Sequence, residues 1–313
     1  MFSSLSIVNK ALPCIGPTRA LVTLAALTAL LAGCGGSGSD APIVNSVSVG
    51  PNLYGRPAAI LVQGLGLNQG VTVTADKGCD TITESANGDN LTRRFTCTLS
   101  AVGTLTFRVR SLGGRELANV QVAVPQPQVT LTVDGLGTDG QTIVMTLDPD
   151  RAPLSVNNVL AYVNAGFYDG VIFHRADPAN GVVQTGGYTP GPTFKAPTRN
   201  PIALESANGL KNLRGTVGMA RSSAPDSATA QFYFNVRDNP GFDYQSAANP
   251  GYAVFGSITR GLEVMDAIFA EPTGDATLLD KDGNALNGPD GQPFVLSTVP
   301  TRNIVVRTAR QTR

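Results

Sequence analysis

The stretch YDGVIFHRADPANGVVQTGGY, residues 168–188, gathers the side chains of this chain best suited to chemistry. It holds the only histidine, His174, next to Arg175, with Gln184 and the pair Gly186-Gly187 shortly after. A zinc site needs three or four Cys, His or carboxylate ligands. One histidine, with no H-x-x-x-H or C-x-x-C set anywhere, does not supply them, and neither a metal nor a cofactor is expected. A serine hydrolase needs a nucleophile on a G-x-S-x-G elbow, which the sequence lacks. The permanent cation of Arg175 keeps a neighbouring imidazole neutral but marks no nucleophile. From the residues alone, His174 reads as a structural hydrogen-bonding residue.

A second informative block is RGTVGMARSSAPDSATAQFYFN, residues 214–235. A polar loop of small residues, Ser222 to Ala230, separates two apolar strands, and Gln231-Phe232-Tyr233-Phe234 follows it. Strand alternation sends Phe232 and Phe234 to one face and Gln231 and Tyr233 to the other. A third block, PGYAVFGSITRGLEVMDAI, reads as a strand, a turn and a helix.

Two other motifs dissolve on inspection. Gly135-x-Gly137-x-x-Gly140 has dinucleotide-binding spacing, but that motif works only where a helix follows and presents its N-terminus to the pyrophosphate. Here a strand rich in Thr, Ile and Val follows, so the segment is a hairpin turn. Asp280, Asp282 and Asn284 take the first places of a calcium loop. Ala285 then stands where glycine is required and Gly291 where the bidentate glutamate belongs, so a turn-rich surface insertion is expected instead.

The elements that must position these residues read as mainly β. At 313 residues the chain exceeds what one core usually serves, and glycine and proline are abundant. Charge is balanced at 23 basic against 23 acidic residues with no basic block, which argues against a nucleic-acid partner. From Pro42 to Val124, six short alternating segments punctuated by Gly, Asn and Pro predict an immunoglobulin-like β-sandwich over 42–125. Pro125-Gln126-Pro127 marks the boundary, and a second domain runs over 126–313. Its first convincing helix has Pro153 just upstream, Ser155 as N-cap, a stripe of Val156, Val159, Leu160 and Val163, and Gly166 as the C-terminal stop. A second helix carries Leu262, Met265, Ile268 and Phe269 and ends before Pro272. Two helices among many strands predict a closed barrel plugged by helices.

The N-terminus reads as an export signal. Lys10 and Arg19 precede the apolar run Ala20–Leu31, too short for a bilayer core of about 30 Å and the length of a secretory segment. Leu31-Ala32-Gly33-Cys34 resembles a bacterial lipobox, which makes 1–33 a lipoprotein signal, Cys34 the lipidated first residue and 34–41 a flexible linker. A lipid-anchored, periplasm-facing envelope protein is expected. Gly35 lacks the acidic character that retains some lipoproteins at the inner membrane, which leans toward the outer one. In an exported chain the remaining pair, Cys79 and Cys97, is expected to form a disulfide, with two buried free thiols as the alternative.

The phrases APLSVNNVLAYVNAGFYDGVIFHR, QTGG, RGTVGMAR, DSATAQFYFNVRDN and GYAVFG, in this order, resemble a bacterial cyclophilin, a peptidyl-prolyl cis-trans isomerase. The resemblance spans about Val129 to Arg310 and implies an eight-stranded antiparallel barrel with a helix closing each end. It implies an isomerase acting on proline-containing segments; together with the export signal, exported proteins are the expected clients of a monomer, and no cofactor is expected. By similarity Arg175 is the catalytic donor, Gln184 binds substrate backbone, His174 shapes the pocket floor, and Ala220, Arg221 and Gln231 contact the peptide. Val182, Met219, Tyr233, Phe242 and Tyr252 are expected to line the proline slot.

This chain departs from that pattern in several places. The loop ADPANG is one residue longer, and Gly181 and Gly241 replace aromatics. Tyr233 replaces a phenylalanine, Tyr252 a histidine, and Thr185 the first of two glycines. Each lost aromatic removes up to about 150–250 Å² of contact surface. At about 25 cal/mol per Å² the slot then binds several kcal/mol more weakly unless loops compensate. Low turnover and weak binding of cyclosporin-type inhibitors are expected. The competing expectation is a peptide-binding or scaffolding module that kept the barrel and lost turnover.

Overall fold

The computed structural model describes residues 41–85 and 88–313. The signal segment 1–33, Cys34 and nearly all of the linker lie outside the described residues. Among the described residues no helix is long and apolar enough to cross a membrane.

Seven strands come first: β1 (Ile43–Gly50), β2 (Pro57–Leu65), β3 (Val71–Ala75), β4 (Thr83–Glu84), β5 (Thr92–Thr98), β6 (Gly103–Ser111) and β7 (Glu116–Val124). They form two antiparallel sheets, β1-β2-β5-β4 and β3-β6-β7. This is the strand order of a constant-type immunoglobulin sandwich. Six of the seven match segments visible in the sequence; β4, two residues long, carries no pattern. Along β2 the alternation is nearly ideal, with Ala58, Ile60 and Val62 buried and Ala59 and Gln63 exposed. Cys79, between β3 and β4, is disulfide-bonded to Cys97 on β5.

Beyond Pro125–Pro127 the chain builds a closed eight-stranded antiparallel barrel. A hairpin of β8 (Gln128–Asp134) and β9 (Gln141–Leu147) leads into α1 (Pro153–Asn164). Next come β10 (Val171–Asp177) and β11 (Val182–Thr185), then a small hairpin, β12 (Tyr188–Thr189) and β13 (Thr193–Phe194). After these run β14 (Thr216–Met219), β15 (Phe232–Asn235), β16 (Val254–Arg260) and α2 (Leu262–Phe269). A side hairpin of β17 (Thr273–Thr277) and β18 (Val295–Pro300) precedes the last strand, β19 (Val305–Gln311). Around the barrel the order is β10-β11-β15-β14-β16-β9-β8-β19.

The helices plug the barrel through the residues their periodicity marks. Val156, Val159, Leu160 and Val163 of α1 join the same core as Phe173, Phe232, Phe234 and Phe255, as do Val264, Met265 and Ile268 of α2. Gly166 follows α1 with φ of 69°, the left-handed conformation of a C-terminal stop. The expected N-cap is corrected. Pro153 is the first helical residue rather than a block upstream, and Ser155 lies inside the helix. The free amides are capped by a distant carboxylate: Glu205 accepts from Leu154 N at 2.8 Å and from Ser155 N and Oγ at 2.7 Å each. A negative group at this end also suits the helix dipole.

The DGLGTDG segment is a hairpin turn, with Gly135, Gly137 and Gly140 all at positive φ and a strand after it. In the 280 loop, Asp280 accepts the backbone amides of Asp282 and Asn284 at 2.8 Å each, which makes it a turn-former.

The sandwich and the barrel pack against each other. Tyr54, in the β1–β2 connection, is buried, and its carbonyl accepts from Gln311 Nε2 at 2.9 Å. The adjacent Gly55 lies against Leu160 of α1.

Candidate active site

Strand pairing assembles the site. Arg175 on β10 pairs with Gln184 on β11, Gln184 with Tyr233 on β15, and Tyr233 with Gly218 on β14. Residues paired in an antiparallel sheet share a face. A single row therefore crosses four strands on the outside of the barrel, with side chains from three of them and a glycine on the fourth. The alternating residues Phe173, Val183, Phe232, Phe234 and Val217 fill the interior.

Arg175 is the charged centre of this row. Its Nη2 donates to Asp177 Oδ2 at 2.5 Å, and its Nη1 reaches Gln184 Oε1 at 3.5 Å. Gln184 Nε2 donates to Gln231 Oε1 at 2.8 Å, which links Arg175, Gln184 and Gln231 in series. Asp177 is a residue the sequence reading missed. Its side chain is only 5% exposed, and its Oδ1 accepts the amides of Ala179 and Asn180 at 2.9 and 3.2 Å. Asp177 thus shapes the inserted ADPANG loop and grips Arg175 at the same time. Burial works to raise its carboxyl, but the hydrogen bonds from Asn180 and Ala179 and the charge of Arg175 outweigh it and hold it below the usual carboxylate range. The signal was legible: residues two apart on a strand share a face.

His174 sits where the β10–β11 register shifts, between Phe173 and Arg175. Such irregularities re-aim side chains. The ring turns inward against Tyr188, 4.8 Å between centroids, and is 2% exposed. Burial drives its pKa down to about 3, against weaker upward contributions from the Ile172 backbone and the Gln231 amide. His174 is therefore a neutral packing residue across the physiological range and lies beneath the row.

An aromatic cluster flanks the row. The rings of Tyr233 and Phe242 meet edge-on at 5.9 Å and those of Tyr233 and Tyr252 edge-on at 6.0 Å, while Phe242 and Tyr252 are tilted at 5.0 Å. Tyr233 lies across Gly218, where an added Cβ would come within 2.4 Å of its ring, so this glycine makes room for the tyrosine. The Tyr233 hydroxyl donates to Asn212 Oδ1 at 2.7 Å, and Asn212 is tied in turn to Asp243 and Asn235. Burial pushes the Tyr233 hydroxyl well above its ordinary pKa, so it stays a donor. A tyrosine is accommodated here because a polar network receives its tip.

Arg221 is committed to the scaffold. Its guanidinium lies 4.6 Å over the Tyr252 ring and donates through Nε and Nη2 to Gly251 O at 3.0 and 2.8 Å. Ala220, Arg221, Gln184 and Gln231 together line a cavity of about 350 Å³ beside the row. The loop between β14 and β15, which carries Ala220, Arg221 and Gln231, is pinned by Tyr168 Oη to Ala230 O at 2.8 Å and by Asn158 Nδ2 to Thr229 O at 2.5 Å.

Two expected slot residues part company. Val182 shares the outer face, paired with Asp177 and Asn235. Met219 does not reach it: it pairs with Phe232, and both lie in the interior core. Strand alternation gives the outer position to Gly218 instead.

The replaced aromatics have different fates. Gly181 adopts φ of 61°, and an added Cβ would come within 2.6 Å of the Arg237 side chain. Arg237 covers this spot and donates to Ala179 O. Gly241 has open space around it. Thr185 is fully buried, and its hydroxyl is satisfied by Ile172 O at 2.9 Å. Among the described residues no cluster of His, Cys, Asp and Glu is arranged to hold a metal ion.

Comparison with known proteins agrees with this geometry. Residues 129–284 match the family described as cyclophilin type peptidyl-prolyl cis-trans isomerase/CLD. Peptidyl-prolyl cis-trans isomerase A of Dickeya dadantii is 49% identical over 133 residues, 42% of this chain and 68% of that protein. Peptidyl-prolyl cis-trans isomerase B of Escherichia coli is 47% identical over 138 residues, 43% of this chain and 82% of that protein. A peptidyl-prolyl cis-trans isomerase of Streptomyces antibioticus is 46% identical over 143 residues, 45% and 85% of the respective chains. With the closed barrel, its two helices and this degree of identity, the chain belongs to the cyclophilin-type peptidyl-prolyl cis-trans isomerase family.

Proposed function

We propose that this protein catalyses rotation about X-Pro bonds in exported polypeptides, with Arg175 as the catalytic residue. The observation that carries the proposal is the row Arg175–Gln184–Tyr233, which sets a fixed cation beside an aromatic cluster on one outer face.

Amide resonance sets a barrier of about 18–20 kcal/mol to rotation. At the twisted geometry the proline nitrogen becomes pyramidal and gains a lone pair. A donor aimed at that nitrogen binds the twisted state better than either planar isomer, which is sufficient for catalysis without any proton transfer. Arginine suits the task because it stays charged and presents a rigid planar fork of donors. With Nη2 held by Asp177 and Nη1 against Gln184 Oε1, the fork is fixed in orientation beside the slot. Tyr233, Phe242, Tyr252 and Val182 form the apolar slot for the proline ring. Gln184 and Gln231 hydrogen-bond the peptide backbone, Ala220 and Arg221 guide it in an extended pose, and His174 supports the floor.

Residues 126–313 are assigned to the isomerase and 42–125 to a spacer that carries it. Cys34 is assigned as the lipidated residue, which puts the enzyme, taken as a monomer, at the cell envelope facing the periplasm, with the outer membrane favoured by Gly35. What supports this is the LAGC motif behind a secretory apolar run.

An isomer-exchange measurement on a short X-Pro peptide tests the activity. Acceleration by the native protein supports it. Peptide binding without acceleration would instead favour a binding or scaffolding module, a reading motivated by the open space at Gly241.

A further inference from the structure

The sandwich has two unlike ends. At one, Tyr54 and Gly55 meet the barrel, and β7 leaves toward β8. At the other, four large aliphatic side chains stand exposed: Ile43 at 56%, Leu65 at 51%, Leu91 at 53% and Leu112 at 71%. The chain contacts bring them together. Ile43 and Leu65 are paired across β1 and β2, Leu91 O accepts from Gly64 N at 2.9 Å, and Leu112 lies against Gly70 in the loop that follows Leu65. Exposed single leucines are ordinary on a protein surface, but four large aliphatic side chains exposed at one end of a small domain are not.

The surrounding loops carry few charges, and the nearby Arg93 is engaged by Glu84 and by Leu67 O. Within residues 65–70, 88–91 and 112–115 only Asp89 and Arg115 are charged, and Asp89 Oδ1 is already engaged by the amides of Leu91 and Thr92. The rest of these loops is mostly Gly, Asn and Gln. The chain enters the sandwich at this tip: β1 starts at Ile43, the ninth residue after Cys34. A tether of that length reaches at most about 30 Å.

We propose that this tip docks on the lipid bilayer, its four aliphatic side chains entering the interfacial region while the sparsely charged loops around them meet the headgroups. The choice of bilayer as occupant rests on the lipidated reading of Cys34, which confines the tip to the neighbourhood of a membrane. Docking by the tip turns a flexible anchor into an oriented one. Strands of nine residues such as β2 then hold the barrel roughly 30 Å from the bilayer surface.

The chain has no tryptophan, so an introduced one is a unique reporter. Leu112→Trp and, separately, Leu65→Trp would be placed in the full-length protein, purified from membranes and reconstituted into vesicles of phosphatidylethanolamine and phosphatidylglycerol. Phe294→Trp, at an exposed position beside the barrel, is the control. The expected result is a blue-shifted emission from the tip reporters that is quenched when acyl-brominated phosphatidylcholine is included, with the control unaffected. Tip reporters that remain unshifted and unquenched in protein whose N-terminal mass shows a lipidated Cys34 would overturn docking while leaving the anchor intact. A blue shift that grows with protein concentration and ignores brominated lipid would show a second copy as the occupant and equally overturn it. If Cys34 carries no lipid, the anchor reading fails, and the same reporters in protein added to vesicles decide docking by the same quenching.

Discussion

Asp177 and Arg175 lie two residues apart on one face of β10, and the carboxylate holds the guanidinium by a 2.5 Å contact from Nη2 to Oδ2. The same carboxylate closes the ADPANG turn, so the insertion that distinguishes this chain is also the clamp on its principal cation. Charge-assisted hydrogen bonds of this kind contribute about 1.5–3 kcal/mol. Part of that is expected to appear as orientation of Arg175.

Asp177→Asn therefore makes a sharp test. The amide oxygen can still accept the turn amides, but the charge pairing is lost. The expected outcome is a fall in kcat of about tenfold, equivalent to about 1.4 kcal/mol, with KM nearly unchanged. Steady-state kinetics on an X-Pro peptide separate the two constants. A rise in KM alone would show that Asp177 serves only to shape the loop.

The pH dependence follows from His174 and Asp177. The row holds no histidine with an ordinary pKa, so the isomerisation rate should stay level as pH falls through the histidine range and drop only in acid below the ordinary carboxylate range, as the depressed Asp177 carboxyl protonates. Stability behaves differently. His174 is neutral in the fold down to about pH 3, whereas the unfolded chain takes up a proton near 6.5. The unfolded state then binds more protons in that window, so stability is full above pH 6.5 and declines as pH falls toward 3, with a slope of at most about 1.4 kcal/mol per pH unit. Denaturation midpoints between pH 8 and pH 5, compared with those of His174→Gln, should show this slope flattened in the variant.

Restoring an aromatic at 181 is expected to harm the protein. Gly181 has φ of 61°, where an L side chain costs about 1–2 kcal/mol, and Arg237 already fills the space. Gly181→Phe should lower stability by at least that amount, read by urea denaturation, without tightening peptide binding. A more stable variant with tighter binding would mean that Arg237 gives way at little cost.

Much of this structure was legible in advance because it rests on local periodicity. The α1 stripe, the hairpin at Gly135–Gly140 and the opposite faces of Phe232 and Tyr233 follow from spacings of 3.6 and 2 that tertiary contacts reinforce. What escaped depends on residues far apart in the chain. Glu205 caps α1 from across the fold, and Arg237 covers Gly181 from the end of β15. Met219 was misplaced for another reason. Likeness to relatives does not carry the alternation that pairs it with Phe232 in the core. The Asp177 clamp was within reach, since a period of two puts it beside Arg175.

The Cys79–Cys97 bond closes a loop of 18 residues in a small sandwich. Reduction should cost about 3 kcal/mol of stability in the chain-entropy estimate. The isomerisation rate at 25 °C should be unchanged by it, because the site is built on barrel strands. Denaturant titration and the peptide assay, each with and without a thiol reductant, check both halves.

The role of Arg175 is tested most directly by the rate of cis-trans exchange of an X-Pro peptide, measured with native protein and with Arg175→Ala at equal peptide occupancy. Loss of a preorganised donor to the twisted amide should lower the catalysed rate on the order of 10²-fold while the peptide still binds. Equal catalysed rates from the two proteins would contradict the assignment of Arg175 as the group that stabilises the rotating bond.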